Sequence, residues 1–300
     1  RGNTEGYVNS ASDQKWLEIH GLEHFTHYYT DYGIDLQRRF LGHFLKGEDT
    51  GWGEQPKVQL LIRHPDEVFV ERAEEEWPIP RTEWTEMYLD PAGKTLSDAP
   101  MAEAQSWTYE AMGDGATFLT APMAQETEIT GPVAAKLFIS SETEDADLFL
   151  VLRAFKPDMK EVVYKGANDP HTPVGLGWLR ASHRKLDPDQ TLPYRPYHSH
   201  DEIQPLTPGE IYELDIEIWP TSIVLPEGYR LGLSVRGRDY VYPGWTPGDP
   251  MIAGRVQYGV GPFKHEMPSN RPLDVYGKKV TLHTGPDHPS HVLLPVIPEK

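Results

Sequence analysis

The chain has 300 residues, 38% hydrophobic, 25% charged and 11% aromatic, with a formal net charge of -18. These values exclude a disordered tail, a collagen and a coiled coil, and they make a phosphate backbone or an anionic membrane a poor partner. Cysteine is absent, which removes disulfides, thiolate metal sites and a cysteine nucleophile together.

A chain of this length is expected to hold about two domains, and its 26 glycines and 28 prolines favour turns and short strands over long helices. No apolar run approaches the ~20 residues that span a bilayer. The sequence opens Arg1-Gly2-Asn3-Thr4 without methionine or a signal-peptide pattern, so the natural start is expected upstream and targeting is unread.

In chain order, Trp16-Leu17-Glu18-Ile19-His20 reads as a short strand. After a loop, Leu36, Phe40, Leu41, Phe44 and Leu45 fall at helical spacing within Asp31 to Lys46, and Gly47 supplies the stop. One strand and one helix cannot close a core, because the strand leaves its edges unpaired and the helix needs a sheet to cover. The first fifty residues must therefore dock on something.

From about Pro56 alternation takes over. Val58, Leu60 and Ile62 share one face of a strand, as do Val133, Ala135, Leu137 and Ile139. The clearest patterns are Tyr212, Leu214, Ile216 and Ile218, followed by Tyr229, Leu231, Leu233 and Val235. Residues 147–155, 175–184, 278–283 and 291–297 add further strands. Many short strands without intervening helices predict a mainly β fold, a two-sheet jelly roll. The acidic run Glu71 to Glu76 reads as a solvated loop.

The densest cluster of titratable groups is His20-Gly21-Leu22-Glu23-His24-Phe25-Thr26-His27-Tyr28-Tyr29, just beyond the first strand. A loop at the carboxyl end of a strand is where α/β folds place reacting residues, so a histidine here is a candidate general base. His20, Glu23 and His24 satisfy an inverted zinc-peptidase string, but that string needs a helix, and Gly21 lies inside it. No metal is expected there, and none at His198-Ser199-His200-Asp201-Glu202 with His183 and His171 upstream, which reads as a polar inter-strand loop. Gly232 to Gly237 is no nucleophile elbow, since Ser234 lies inside an alternating strand. Trp52, Trp84, Trp107 and Trp178 are candidate exposed aromatics of a sugar-binding face.

Several motifs carry a resemblance. Residues 15–24 (KWLEIHGLEH) and 36–47 (LQRRFLGHFLKG) resemble the end of the catalytic domain in serine hydrolases of the cocaine esterase and X-Pro dipeptidyl-peptidase type. Glu76-Trp77-Pro78, Thr130-Gly131-Pro132, Asp147-Leu148-Phe149, Gly177 to Arg184, Ile218-Trp219-Pro220-Thr221 and His288-Pro289-Ser290-His291 are similar to motifs of that family's C-terminal domain. The resemblance implies that residues 1–50 are the last strand and helix of an α/β-hydrolase domain. Residues 51–300 would then form a jelly-roll, galactose-binding-like β-sandwich.

It also implies acyl transfer on an ester or amide by a Ser-His-Asp triad, with no cofactor. The family's histidine often stands in Gly-Pro-Trp-x-His, and the matching position is His24. Here His20-Gly21-Leu22 replaces Gly-Pro-Trp, which leaves His20 and His27 open beside it. Phe25 and Tyr28 would line the acyl pocket. Serine and acid precede histidine in this family's chain order, so both are expected in an upstream α/β-hydrolase portion, on the same gene product or on a second chain. Self-association is left open. The competing reading is a non-catalytic, carbohydrate-binding-like sandwich.

Overall fold

The computed structural model describes residues 1–166, 169–243, 251–252, 255–256, 260 and 264–299. Helix α1 (Gly2–Asn9) is followed by β1 (Leu17–Ile19), a 3-10 turn over His27–Tyr29, and helix α2 (Asp31–Lys46). Strands β2 (Val58–His64), β3 (Val68–Glu74), β4 (Glu83–Asp90), β5 (Thr95–Ser97), β6 (Gln105–Glu110) and β7 (Ala116–Leu119) come next. Then follow β8 (Thr127–Ser141), β9 (Asp147–Phe155), β10 (Glu161–Val162), β11 (Gly175–Arg180), β12 (Tyr212–Leu225) and β13 (Arg230–Arg236). A short hairpin, β14 (Met251–Ile252) and β15 (Arg255–Val256), precedes helix α3 (Leu273–Tyr276), β16 (Lys279–Thr284) and β17 (His291–Ile297).

Helix α2 has the bounds that its spacing predicts. The Thr30 side chain accepts from Gly33 N, and Gly47 closes the helix at φ 69°. Its apolar face is only partly covered: Phe40 and Phe44 pack on Trp52 and Trp16, while Leu41 is 47% exposed and Leu45 76%. Helix α1 has no apolar period to announce it. It is held instead by ion pairs to the sandwich, Arg1 to Glu217 and Glu5 to Arg195, and by Tyr7 packing on a small core.

Two sheets organise the rest. The smaller has the order β1-β2-β3, with β1 parallel to β2 and β2 antiparallel to β3. Sheet pairing therefore crosses the expected division at residue 50, because β2 and β3 join the strand that the sequence assigned to the other side. Glu71 to Glu74 lie in β3 rather than in a solvated loop. The side chains of β3 are largely exposed, so no apolar alternation marks it, while Glu74 is buried and paired with Arg72 and Arg81.

The larger sheet closes on itself. Its order runs β12-β11-β9-β13-β7-β5-β4-β17-β8, and β8 pairs again with β12, which makes a ring of strands around an aliphatic core. Closure removes free edges, the standing liability of β proteins, from the strands of the ring, while β6, which lies off the ring beyond β16, keeps one open edge. β11 meets β12 at one register pair, Gly177 with Ile218, where a Cβ on Gly177 would stand 2.5 Å from the Glu217 carbonyl. Only glycine permits that approach.

β17 and β16 tile the other edge of β8 end to end. At the join, Ser290 is fully buried; its Oγ accepts from Phe138 N at 2.9 Å and donates to the His283 carbonyl at 2.7 Å. A second, smaller core joins Leu17, Val58, Leu60 and Ile62 of the small sheet to Ile79, Val224 and Ile297, and so docks the two sheets together.

Candidate functional site

The His20–His27 loop leaves the carboxyl end of β1 and turns over the β2–β3 hairpin. At Gly21 the Phe69 ring of β3 occupies the space a Cβ would need, so any larger residue must displace that ring, and Leu22 follows at φ 66°. His20 Nδ1 lies 3.1 Å from the Gly21 carbonyl, and its ring stacks on His27 at 4.4 Å. His27 Nε2 lies 3.2 Å from Glu18 Oε1 of β1, with Tyr32 against its ring. Burial, with the charges of Glu18 and Glu71, pushes the Tyr32 phenol pKa upward.

The sandwich grips this loop from the other side. Lys165 Nζ lies 2.7 Å from Glu23 Oε1, and Thr26 Oγ1 donates to Glu23 Oε2 at 2.8 Å. The Lys165 hydrogen bond, a backbone N–H and Thr26 hold the Glu23 carboxyl down to about 2. Lys165 N also donates to Glu67 Oε1 at 2.6 Å, at the turn between β2 and β3. The main clamp is Arg63. Its Nε donates to the Ser222 carbonyl at 2.9 Å, and its Nη2 to the Val174 carbonyl at 3.1 Å and Thr221 Oγ1 at 2.9 Å. The guanidinium lies 3.9 Å over the Tyr164 ring, and burial lowers its pKa.

Between loop, hairpin and sandwich lies a cavity of about 380 Å³. His20, Gly21 and Leu22 form one wall, Arg63 and Glu67 another, and Tyr164 and Trp219 a third. The buried Glu67 Oε2 has no hydrogen-bond partner there. The structure gives the loop residues different surroundings. His20 lines this cavity, whereas His24 is exposed with its ring edge on Phe25 at 5.2 Å. Phe25 is 49% exposed and Tyr28 54%; Tyr28 borders a different hollow, beside Phe40 and Trp52.

Among the described residues no group of three or more His, Asp or Glu is arranged to hold a metal. His183 Nδ1 and His200 Nδ1 are 3.1 Å apart, and His198 Nε2 lies 3.0 Å from the Asp215 carbonyl, with burial lowering the His198 pKa. Ser234 lies inside β13. The four tryptophans divide: Trp52 is 5% exposed and packs under α2, and Trp107 packs on the core against Tyr109. Trp84 stacks on Tyr194 at 4.5 Å, and Trp178 meets Trp219 at 5.3 Å. Arg63 and Tyr164 are site residues that the sequence did not single out, and Trp219 figured there only within a motif of the resemblance. For Arg63 the alternation of β2 signalled only a wetted face.

The profile of the X-Pro dipeptidyl-peptidase C-terminal non-catalytic domain matches residues 50–293. The chain is 25% identical over 302 residues to a cocaine esterase of a Rhodococcus species, covering 87% of this chain and 45% of that protein. It superposes on a CocE/NonD family hydrolase of Staphylococcus aureus with a TM-score of 0.85 at 26% identity, covering 99% of this chain and 51% of the other. An α-amino-acid ester hydrolase shares the fold at 17% identity and a TM-score of 0.56, over 88% of this chain and 45% of the other. The chain thus spans about half the length of the relatives it matches.

Proposed function

From the premise that this chain belongs to the X-Pro dipeptidyl-peptidase C-terminal domain family, whose members include serine esterases and peptidases, we propose that it is the C-terminal part of a serine hydrolase acting on an ester or amide. Residues 1–50 would complete an α/β-hydrolase domain whose serine and aspartate lie upstream. The serine hydroxyl attacks the acyl carbon, a histidine of the 20–27 loop takes its proton, and the aspartate orients the imidazole. The sandwich supplies no reacting group. It holds the loop through Lys165 and Glu23, and holds the β2–β3 hairpin through Arg63.

The family motif carries the base to His24, which faces outward and is open to an upstream partner. One observation favours a second reading, His20: of the three loop histidines it alone contributes to the wall of the 380 Å³ cavity. The base-bearing position of the loop at the end of a parallel strand, gripped by the sandwich, is what supports the function under either reading. The test uses the complete enzyme with single His20→Ala, His24→Ala and His27→Ala changes. A loss in kcat on the order of 10³ or more is expected at one histidine only, with about tenfold or less at the others. It falls at His24 under the family match and at His20 if the cavity is the reaction chamber. Near-normal turnover in all three variants refutes the proposal.

A further inference from the structure

β12 runs regularly against β8 up to Ile218 and resumes at Thr221, with a shift of register between them. The interruption falls on Trp219-Pro220. Bulges of this kind re-aim a side chain, and they are over-represented beside active sites. Here the result is an indole that is 48% exposed on a sandwich whose other large apolar groups mostly face inward.

The bulge is clamped. Thr221 Oγ1 donates to the Val174 carbonyl at 2.7 Å, and Arg63 of β2 reaches across to Thr221, Ser222 and Val174. A strand of the small sheet thereby fixes the place of an aromatic ring on the sandwich.

Trp219 stands between two cavities. One is the 380 Å³ cavity walled by His20. The other, about 570 Å³, lies along β11 and is bounded by Trp178, Tyr197, His183, His200 and Arg180. Trp219 belongs to both walls, and its indole meets that of Trp178 edge to face, at 71° between planes. On the side of the 570 Å³ cavity, which Trp178 also lines, two indoles at that angle offer a corner suited to one flat ring, and Trp219 carries that corner to the border of the cavity walled by His20.

We propose that Trp219, carried on the bulge of β12, is a specificity-determining residue of the acyl-transfer site and packs against a planar aromatic group of the ester or amide substrate. This rests on the proposed hydrolase function in its His20 reading, in which the cavity shared by His20 and Trp219 is the reaction chamber. It gives the sandwich, which contributes no reacting group, a part in choosing the substrate.

The test uses the complete enzyme, its Trp219→Ala and Trp219→Phe variants, and the three loop-histidine variants as reference. Methyl acetate, methyl benzoate and phenyl acetate separate an aryl group on the acyl side, one on the leaving side, and none. Trp219→Ala is expected to lower kcat/KM about tenfold for at least one aryl ester, mainly through KM, and to leave methyl acetate within about threefold. Trp219→Phe is expected to recover most of that loss. An unchanged ratio between aryl and methyl esters, with activity still lost in a loop-histidine variant, overturns the role of Trp219 alone. Full activity in every histidine variant overturns the hydrolase reading beneath it. An equal loss on all three esters together with a lowered melting temperature also overturns the proposal, since the ring would then be packing against the upstream half.

Discussion

Replacing Arg63 with alanine should loosen the small sheet from the sandwich. The guanidinium makes three hydrogen bonds to the sandwich, to Ser222, Val174 and Thr221, and covers the Tyr164 ring at 3.9 Å. Hydrogen bonds from a charged donor are worth about 1.5–3 kcal/mol each, and a desolvated cation–π contact about 2 kcal/mol. Summed, these come to roughly 6–11 kcal/mol, which is an upper bound because the contacts share one guanidinium and do not add. The net cost of Arg63→Ala is therefore expected near 3–5 kcal/mol, which lowers the melting temperature by about 10 °C. Thermal melts by circular dichroism measure it, and limited proteolysis between residues 75 and 82 should quicken in parallel. Arg63→Lys keeps the charge but loses the planar fork, so it should recover less than half the loss. A change under about 1 kcal/mol in Arg63→Ala, or full recovery by lysine, refutes the clamp.

Three further outcomes follow from the geometry. Ser290→Ala strips the buried Phe138 N–H of its acceptor and should cost about 2 kcal/mol in denaturant titration; a cost near zero would mean that another acceptor replaces it. Burial holds His198 and His283 below the usual histidine pKa, so below pH about 6.5 the unfolded chain takes up protons that the folded one resists. Stability then falls by up to about 1.4 kcal/mol per pH unit for each residue. Melting temperatures at pH 7.5 and 5.5 should diverge less in His198→Gln than in the parent, and an identical divergence counts against the assignment. Under the proposed function, these 300 residues alone should hydrolyse a chromogenic acyl ester no faster than background, and turnover blocked by a serine-directed phosphonate would expose a nucleophile within them.

What could be read from the sequence depended on whether an element's two faces differ in polarity. β12 and β13 bury alternate or successive aliphatics and announce themselves, as does α2 through its spacing, Thr30 and Gly47. β3 is a strand by backbone pairing alone, with exposed Val68 and Val70 and an acidic run that looks like a loop. α1 is equally silent, since its position comes from ion pairs to residues about 190 and 216 positions away. The histidine cluster was visible as a string of residue types. Its division was not, because which ring enters the cavity depends on a left-handed Leu22 and on the Phe69 ring packed against Gly21. Trp219 was visible as part of a motif, but its exposure results from a break in register that only the partner strand defines.

The place of β17 has a consequence for how such a chain is made. It lies between β4 and β8 and carries Ile297 into the small core. A ribosome delivers β4 more than 200 residues before β17, so the ring cannot close while most of its strands are already outside. Until then β4 and β8 each wait with an open edge, and long-range pairing of this kind is slow. Synthesis that stops before His291 would leave the ring broken in its middle rather than trimmed at its rim. Nascent chains should accordingly stay protease-sensitive along most of their length and become resistant in one late step.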